Sequence, residues 1–302
     1  MFAGFRACLR CKPMNHSTQP ALVKTLVTMI EANPSARFRE QDLLALGIDP
    51  STARRQFQRY FQMTFQAYSR ARRMGTALQL LQRPSLTKKG AHVITQQLDA
   101  GFDSPSGYRD AFAKLFGETG ATPSQAKDIT TLTARWLDTP LGPMLAIAND
   151  AGVYVLDFVT RRGLEREITR LRARLNAVVI PGPHRFLDDA EREINEYYAG
   201  TRQQFSLNLA VRGTDFQRAV WAALSAIPTG ETRSYADIAK SIGQPSAVRA
   251  VARANGDNYR SIVIPCHRVI GSDGTLTGYG GGLARKQWLL DFERNIITKL
   301  KP

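Results

Sequence analysis

The 302-residue sequence predicts a multidomain chain: an all-α double helix-turn-helix region, a small α+β lobe, and a mainly helical lobe. Three observations predict this. Apolar residues recur at helical spacing from residue 21 to about residue 128, as in Leu22, Leu26, Met29 and Ile30. Within that stretch, a block returns at an offset of 55 residues: Pro50, Ser51, Arg54, Phe57, Arg59, Phe61 and Thr64 recur as Pro105, Ser106, Arg109, Phe112, Lys114, Phe116 and Thr119. From Trp136 the pattern changes to short β-prone runs.

Residues 1–20, with Cys8, Cys11, Pro13 and Pro20, read as a fragment and linker. In residues 21–128 each repeat follows a turn signal, Gly47-Ile48-Asp49-Pro50 in the first copy and Gly101 through Pro105 in the second. Phe57 and Phe61, like Phe112 and Phe116, lie four apart and share one helix face, while the basic residues fall largely on other faces. A short helix, a glycine turn and a basic helix make a helix-turn-helix; two copies supply two recognition helices, with Arg54 and Arg109 as candidate DNA contacts. Residues 129–135 read as a linker. In the lobe expected over 136–211, Met144–Ala148 and Val153–Phe158 flank an Asp-Ala-Gly turn and read as a hairpin. An arginine-rich helix over Leu164–Leu175 follows, then a break at Pro181-Gly182-Pro183. The last lobe, 212–302, reads as mainly helical.

Composition narrows the function. No apolar stretch approaches the roughly 20 residues of a membrane span, and no signal-peptide core is evident. Three cysteines argue against a disulfide framework and lead us to expect a cytoplasmic protein. A net charge of +15 calls for an anionic partner, by default nucleic acid. The excess is uneven: residues 1–135 hold 19 Lys/Arg against 9 Asp/Glu, and the remainder 22 against 17.

Pro265-Cys266-His267-Arg268, after the strand-like run Ile262-Val263-Ile264, carries the chemistry. A chance match to such a tetrapeptide in a chain this long is on the order of one in several hundred. A thiol attacks as its thiolate, and neighbouring cationic or proton-accepting groups favour that form. A lone cysteine is as readily a small core hydrophobe; the company of His267 and Arg268 favours the nucleophile.

Residues 21–128 resemble the AraC-type DNA-binding domain, clearly in the second motif (Ala100 through Ser104, Phe112, Phe116-Gly117, Thr122-Pro123-Ser124) and more loosely in the first. Residues 136–295 resemble the O6-alkylguanine-DNA alkyltransferases. The resemblance rests on Thr214 through Gln217, Ile227 through Thr232, Ser234-Tyr235, Ala247 through Ala252, Asn258, Ile264 through Ile270, Gly278 through Gly282, Lys286 and Glu293. It implies a winged-helix-like catalytic lobe that transfers the alkyl group of O6-methylguanine, and O4-methylthymine, irreversibly to Cys266. His267 would take the proton through a water, oriented by Glu293, in the order of nucleophile, base and orienter. The O6 atom is unreachable in a stacked duplex, so the nucleotide must be flipped out. The resemblance places Arg249 in the vacated stack, on a helix expected to start at Ser246 as N-cap. Small residues Ala247, Ala250 and Ala254 would let that helix approach the minor groove. It gives Tyr235 the roles of rotating the phosphate and donating a proton to the leaving guanine, and Asn258 that of bracing the turn before Cys266. Carbonyls near Cys266 and Val269 would read the guanine amino group, the Tyr279-Gly280 loop would close over the base, and Lys286 would assist charge neutralisation. Gly280 departs from the pattern, since many members carry a larger residue there.

The whole chain is similar to bacterial Ada-type proteins, which join an AraC-type domain to such an alkyltransferase. Cys8-x-x-Cys11 resembles the last two zinc ligands of their N-terminal domain; a structural zinc site needs four, and His16 would be at most a third. No cofactor, zinc included, is therefore expected, and the chain reads as N-terminally truncated. The expected partners are double-stranded DNA carrying O6-alkylguanine, promoter DNA and RNA polymerase, for a monomer with no membrane association. The competing reading is a regulator of the adaptive response whose alkyltransferase half is mainly a damage sensor.

Overall fold

The computed structural model describes residues 20–61, 63–82 and 129–300. The second helix-turn-helix copy, with Arg109, and the Cys8/Cys11 pair with His16 lie outside the described residues. The chain forms two compact units, one built from Gln19–Arg135 with Glu165–His184, the other from Trp136–Leu164 with Arg185–Pro302. Two expected boundaries change. The 129–135 linker is the start of strand β1 (Thr130–Leu137), whose alternation of Thr and apolar residues suits a ladder. Residues Glu165–His184, expected within the 136–211 lobe, group with the first unit instead.

In the first unit, α1 (Ala21–Ala32) buries Val23, Leu26 and Ile30, with Leu22 and Met29 half-buried beside that line. Helix α2 (Glu40–Ala45) ends at Gly47, whose φ of 71° is cheap only for glycine. Gly47 N–H donates to Leu44 O and Ile48 N–H to Leu43 O, which closes a Schellman turn. Helix α3 (Pro50–Phe61) begins with Asp49 accepting from Thr52 N–H at 2.8 Å and with proline in its first turn. The helix-turn-helix expected over α2 and α3 thus arises from local sequence signals. Phe57 and Phe61 meet with tilted rings at 4.9 Å, and Phe57 meets Phe65 and Tyr68 on α4 (Phe65–Gln82). Arg54 is exposed and pairs with Glu40 at 3.0 Å. Strands β1 and β4 (Ala177–Pro181) pair in parallel, from Thr130 opposite Ala177 to Ala134 opposite Pro181. Helix α5 (Leu164–Leu175) has the bounds read from sequence. Helix α4 meets β4 at Gly75, where a Cβ would come 2.7 Å from Ile180 Cδ1.

In the second unit, β2 (Met144–Asn149) and β3 (Gly152–Phe158) form the expected antiparallel hairpin. Gly152 turns it at φ 128°, and a Cβ there would lie 2.6 Å from Asn208 O. Met144, Ala146, Leu156 and Phe158 pack with Ile194 and Tyr197 of α6 (Arg185–Tyr198) and Leu289 of α10 (Leu283–Leu300). A second core joins α7 (Asp215–Ser225), α8 (Tyr235–Ser241) and α9 (Val248–Gly256) through Val220, Trp221, Leu224, Ile238 and Val251. Helices α7 and α8 open on capping boxes, Thr214 with Gln217 and Ser234 with Asp237. No described helix is long and apolar enough to cross a membrane.

Candidate active site

Cys266 lies on a 3-10 turn, Cys266–Arg268, at the inner edge of the second core, and is 4% exposed. The segment before it is a turn, not the strand suggested by Ile262-Val263-Ile264. Ile262 adopts φ 73°, a conformation strained for a β-branched residue. Pro265 at φ −81°, ψ 61° makes an inverse γ-turn closed by Cys266 N–H donating to Ile264 O at 2.8 Å. Asn258 locks the other side of this loop. Its Nδ2 donates to Ile264 O at 2.9 Å and its Oδ1 accepts from Arg260 N–H at 3.0 Å. Beyond the turn, β6 (Val269–Ile270) pairs in parallel with β5 (Arg233–Ser234), which brings Tyr235 alongside.

His267 and Glu293 are fully buried, with Nε2 2.9 Å from Oε1. Glu293 also accepts from Tyr197 Oη at 2.9 Å and from two nitrogens of Arg268, each at 2.9 Å. Burial alone would raise the Glu293 carboxyl. The hydrogen bonds of His267 and Arg268 and the Arg268 charge outweigh it and hold it well below the usual carboxylate range. An ionised carboxylate only accepts, so His267 Nε2 must carry the hydrogen; Nδ1, which has no hydrogen-bond partner, is then the basic nitrogen. Burial lowers the His267 value, with Glu293 opposing, so the ring rests neutral. Burial raises the Cys266 thiol; Asn258, Arg161 and Lys286 act to lower it and Asp157 to raise it.

Lys286 is fully buried. Its Nζ donates to Val269 O at 2.5 Å and Thr277 O at 2.7 Å, and burial lowers it to about 8. The Val269 carbonyl expected to read the base therefore already accepts one hydrogen bond. Tyr235 is half-buried, its Oη donating to Thr277 O at 3.3 Å, and burial raises it. Tyr279 packs its ring 6.5 Å from that of His267. Gly280 is exposed, and a Cβ there would lie 2.8 Å from Arg161 Nε.

On α9, Arg249 and Ala250 are exposed, whereas Ala254 is buried and faces the core, where its carbonyl accepts from Trp221 Nε1 at 2.9 Å. The helix is capped by Ala247 with no side-chain bond, not by Ser246, which sits exposed in the preceding turn. The structure thus gathers Cys266, His267, Glu293, Asn258, Val269, Tyr235, Tyr279, Gly280 and Lys286 around one loop. Ser246, Arg249 and Ala250 lie on an adjoining exposed surface, and Arg54 belongs to the other unit. Sequence reasoning missed Tyr197, Arg161 and Asp157, and it gave Arg268 no role of its own. Among the described residues no group of three or more His, Cys, Asp and Glu is placed to hold a metal ion.

Two family models match the chain: a helix-turn-helix domain over residues 44–127, and the 6-O-methylguanine DNA methyltransferase DNA-binding domain over residues 215–295. The methylated-DNA–protein-cysteine methyltransferase of Methanosarcina barkeri is 45% identical over 163 residues, 53% of this chain and 95% of that protein. That of Mycobacterium tuberculosis is 46% identical over 161 residues, 53% of this chain and 92% of that protein. The crystal structure of M. tuberculosis O6-methylguanine methyltransferase matches with 43% identity and a TM-score of 0.48, over 54% of this chain and 93% of that one. The chain belongs to the methylated-DNA–protein-cysteine methyltransferase family, with an AraC-type helix-turn-helix domain ahead of the part it shares with these relatives.

Proposed function

We propose that this protein repairs alkylated DNA by moving the alkyl group of O6-alkylguanine to Cys266 Sγ, once per molecule. The observation that carries this is a buried thiol beside a neutral His267 whose tautomer is set by an ionised Glu293. His267 Nδ1 takes the thiol proton, by way of a water, and Glu293 stabilises the imidazolium. The thiolate forms an S–C bond to the alkyl carbon as the C–O6 bond breaks. The guanine leaves with a proton supplied by Tyr235, which the His267 imidazolium replaces by way of water, and Lys286 offsets developing charge. A thioether has no ready leaving group, so the protein is consumed. Arg249 fills the stack vacated by the flipped base, with Ser246 and Ala250 beside it, and the Tyr279-Gly280 loop closes over the base.

A duplex carrying labelled O6-methylguanine tests this reading. Label should move to the protein with at most one methyl per chain, and Cys266→Ala should abolish it. Label retained on DNA, or transferred in Cys266→Ala, overturns it. The helix-turn-helix match over residues 44–127 supports a second role in transcription regulation, with promoter DNA bound through Arg54 and Arg109 and RNA polymerase recruited there. Footprinting before and after self-methylation tests whether Cys266 also serves as the damage sensor.

A further inference from the structure

Asp157 is the last but one residue of the fully buried β3, and Arg161 follows four residues later on the connection to α5; both are buried. Their ion pair grips the segment that carries Asn258. Arg161 Nη1 donates to Asp157 Oδ2 and to the backbone oxygen of Asn258, and Nη2 donates to Gly256 O at 2.5 Å, at the end of α9. The guanidinium also lies over the Tyr259 ring at 3.9 Å. Asp157 Oδ1 accepts from Ser261 Oγ at 2.9 Å. On its far side the guanidinium abuts Gly280, the residue expected to be larger, and a Cβ there would crowd Nε and Cζ to 2.8 and 2.9 Å. Arg161 Nε is buried with no acceptor. Breaking a buried pair is costly, and replacing one by apolar residues often is not, so stability alone is a weak reason to hold a pair here.

We propose that Arg161 is a positioning residue for methyl acceptance: it braces the Asn258 loop behind Cys266, and its charge, set against the opposing charge of Asp157, favours the thiolate. The proposal rests on Cys266 being the acceptor. The two halves of the pair act on the thiol with opposite signs, Asp157 raising it the more strongly and Arg161 lowering it. A purely structural brace has no such asymmetry.

The test is the pH dependence of Cys266 alkylation by iodoacetamide in the full chain, read by peptide mapping, beside single-turnover methyl transfer from O6-methylguanine duplex. Arg161→Gln should move the alkylation midpoint up by about one pH unit and slow the reaction near neutrality about tenfold. Arg161→Lys should restore the midpoint, and Asp157→Asn should not raise it. Should Arg161→Gln fail to fold with Asp157 left unpaired, the Asp157→Asn/Arg161→Gln double variant is compared with Asp157→Asn alone, and the midpoint must rise between them. An unmoved midpoint in that comparison, or a rise of equal size in Arg161→Gln and Asp157→Asn, overturns the proposal. Iodoacetamide needs no DNA. A parent protein that fails to take methyl from DNA removes the repair reading and with it the role in methyl acceptance, whereas methyl transfer with an unmoved midpoint removes the Arg161 device alone.

Discussion

His267 donates through Nε2 to Glu293 Oε1 at 2.9 Å, and this one bond decides which ring nitrogen stays basic. The same carboxylate takes hydrogen bonds from Tyr197 and Arg268, so its charge is held by three side chains from two elements, the Cys266–Arg268 turn and α6.

Glu293→Gln should therefore cost both rate and stability. It removes the counter-charge of the imidazolium, slowing single-turnover methyl transfer about 100- to 10,000-fold. It also leaves Arg268 buried without its anion, worth about 3–5 kcal/mol in urea unfolding. Tyr197→Phe deletes only one neutral donor and should cost about 1–2 kcal/mol with a much smaller loss of rate. Equal rate losses in the two variants would contradict this ranking.

Acid should weaken the fold in two stages. The folded His267 value lies below its ordinary 6.5, so its contribution is complete above about 6.5 and is lost as pH falls through that value and the unfolded chain binds the proton. The folded Glu293 value lies below its ordinary 4.5, so its contribution is complete above 4.5 and is lost as pH falls further toward the folded value. Urea melts across this range should show the second loss in the parent and not in Glu293→Gln. The same acid slope in both would count against the assignment.

Arg249→Ala should slow methyl transfer from duplex DNA about tenfold or more, because the flipped base then leaves an unfilled stack. Reaction with a free O6-alkylated guanine base, which needs no flipping, should fall far less. Parallel single-turnover assays on the two substrates give the ratio, and equal losses would remove Arg249 from the flipping step.

Phe57→Ala should destabilise the helix-turn-helix unit by about 3–5 kcal/mol, since Phe57 is fully buried and touches Phe61, Phe65 and Tyr68. Denaturant unfolding with promoter-DNA affinity checks it; a loss below about 1 kcal/mol would mean the site collapses around the cavity.

Much of this protein was legible because its signals are local. The Gly47 turn, the Asp49-Pro50 helix start, the hairpin around Gly152 and the Leu164–Leu175 helix depend on residues a few positions apart. Where local reading failed, packing had overridden propensity. Ile262-Val263-Ile264 has strand composition, yet it is bent into a loop laced to Asn258 and buried on both flanks. Ser246 is a good cap in isolation, but the helix starts one residue later, at a position set by its packing on α8.

By itself the sequence pointed to Cys266 and His267 through residue type and adjacency, while Glu293 and the order of the domains came with the family resemblance. Only the tertiary structure decided what surrounds the thiol. Tyr197 reaches Glu293 across 96 residues and Arg161 reaches Asn258 across 97. Neither has a local pattern to announce it, because a buried hydrogen bond needs only that two groups meet when the core closes.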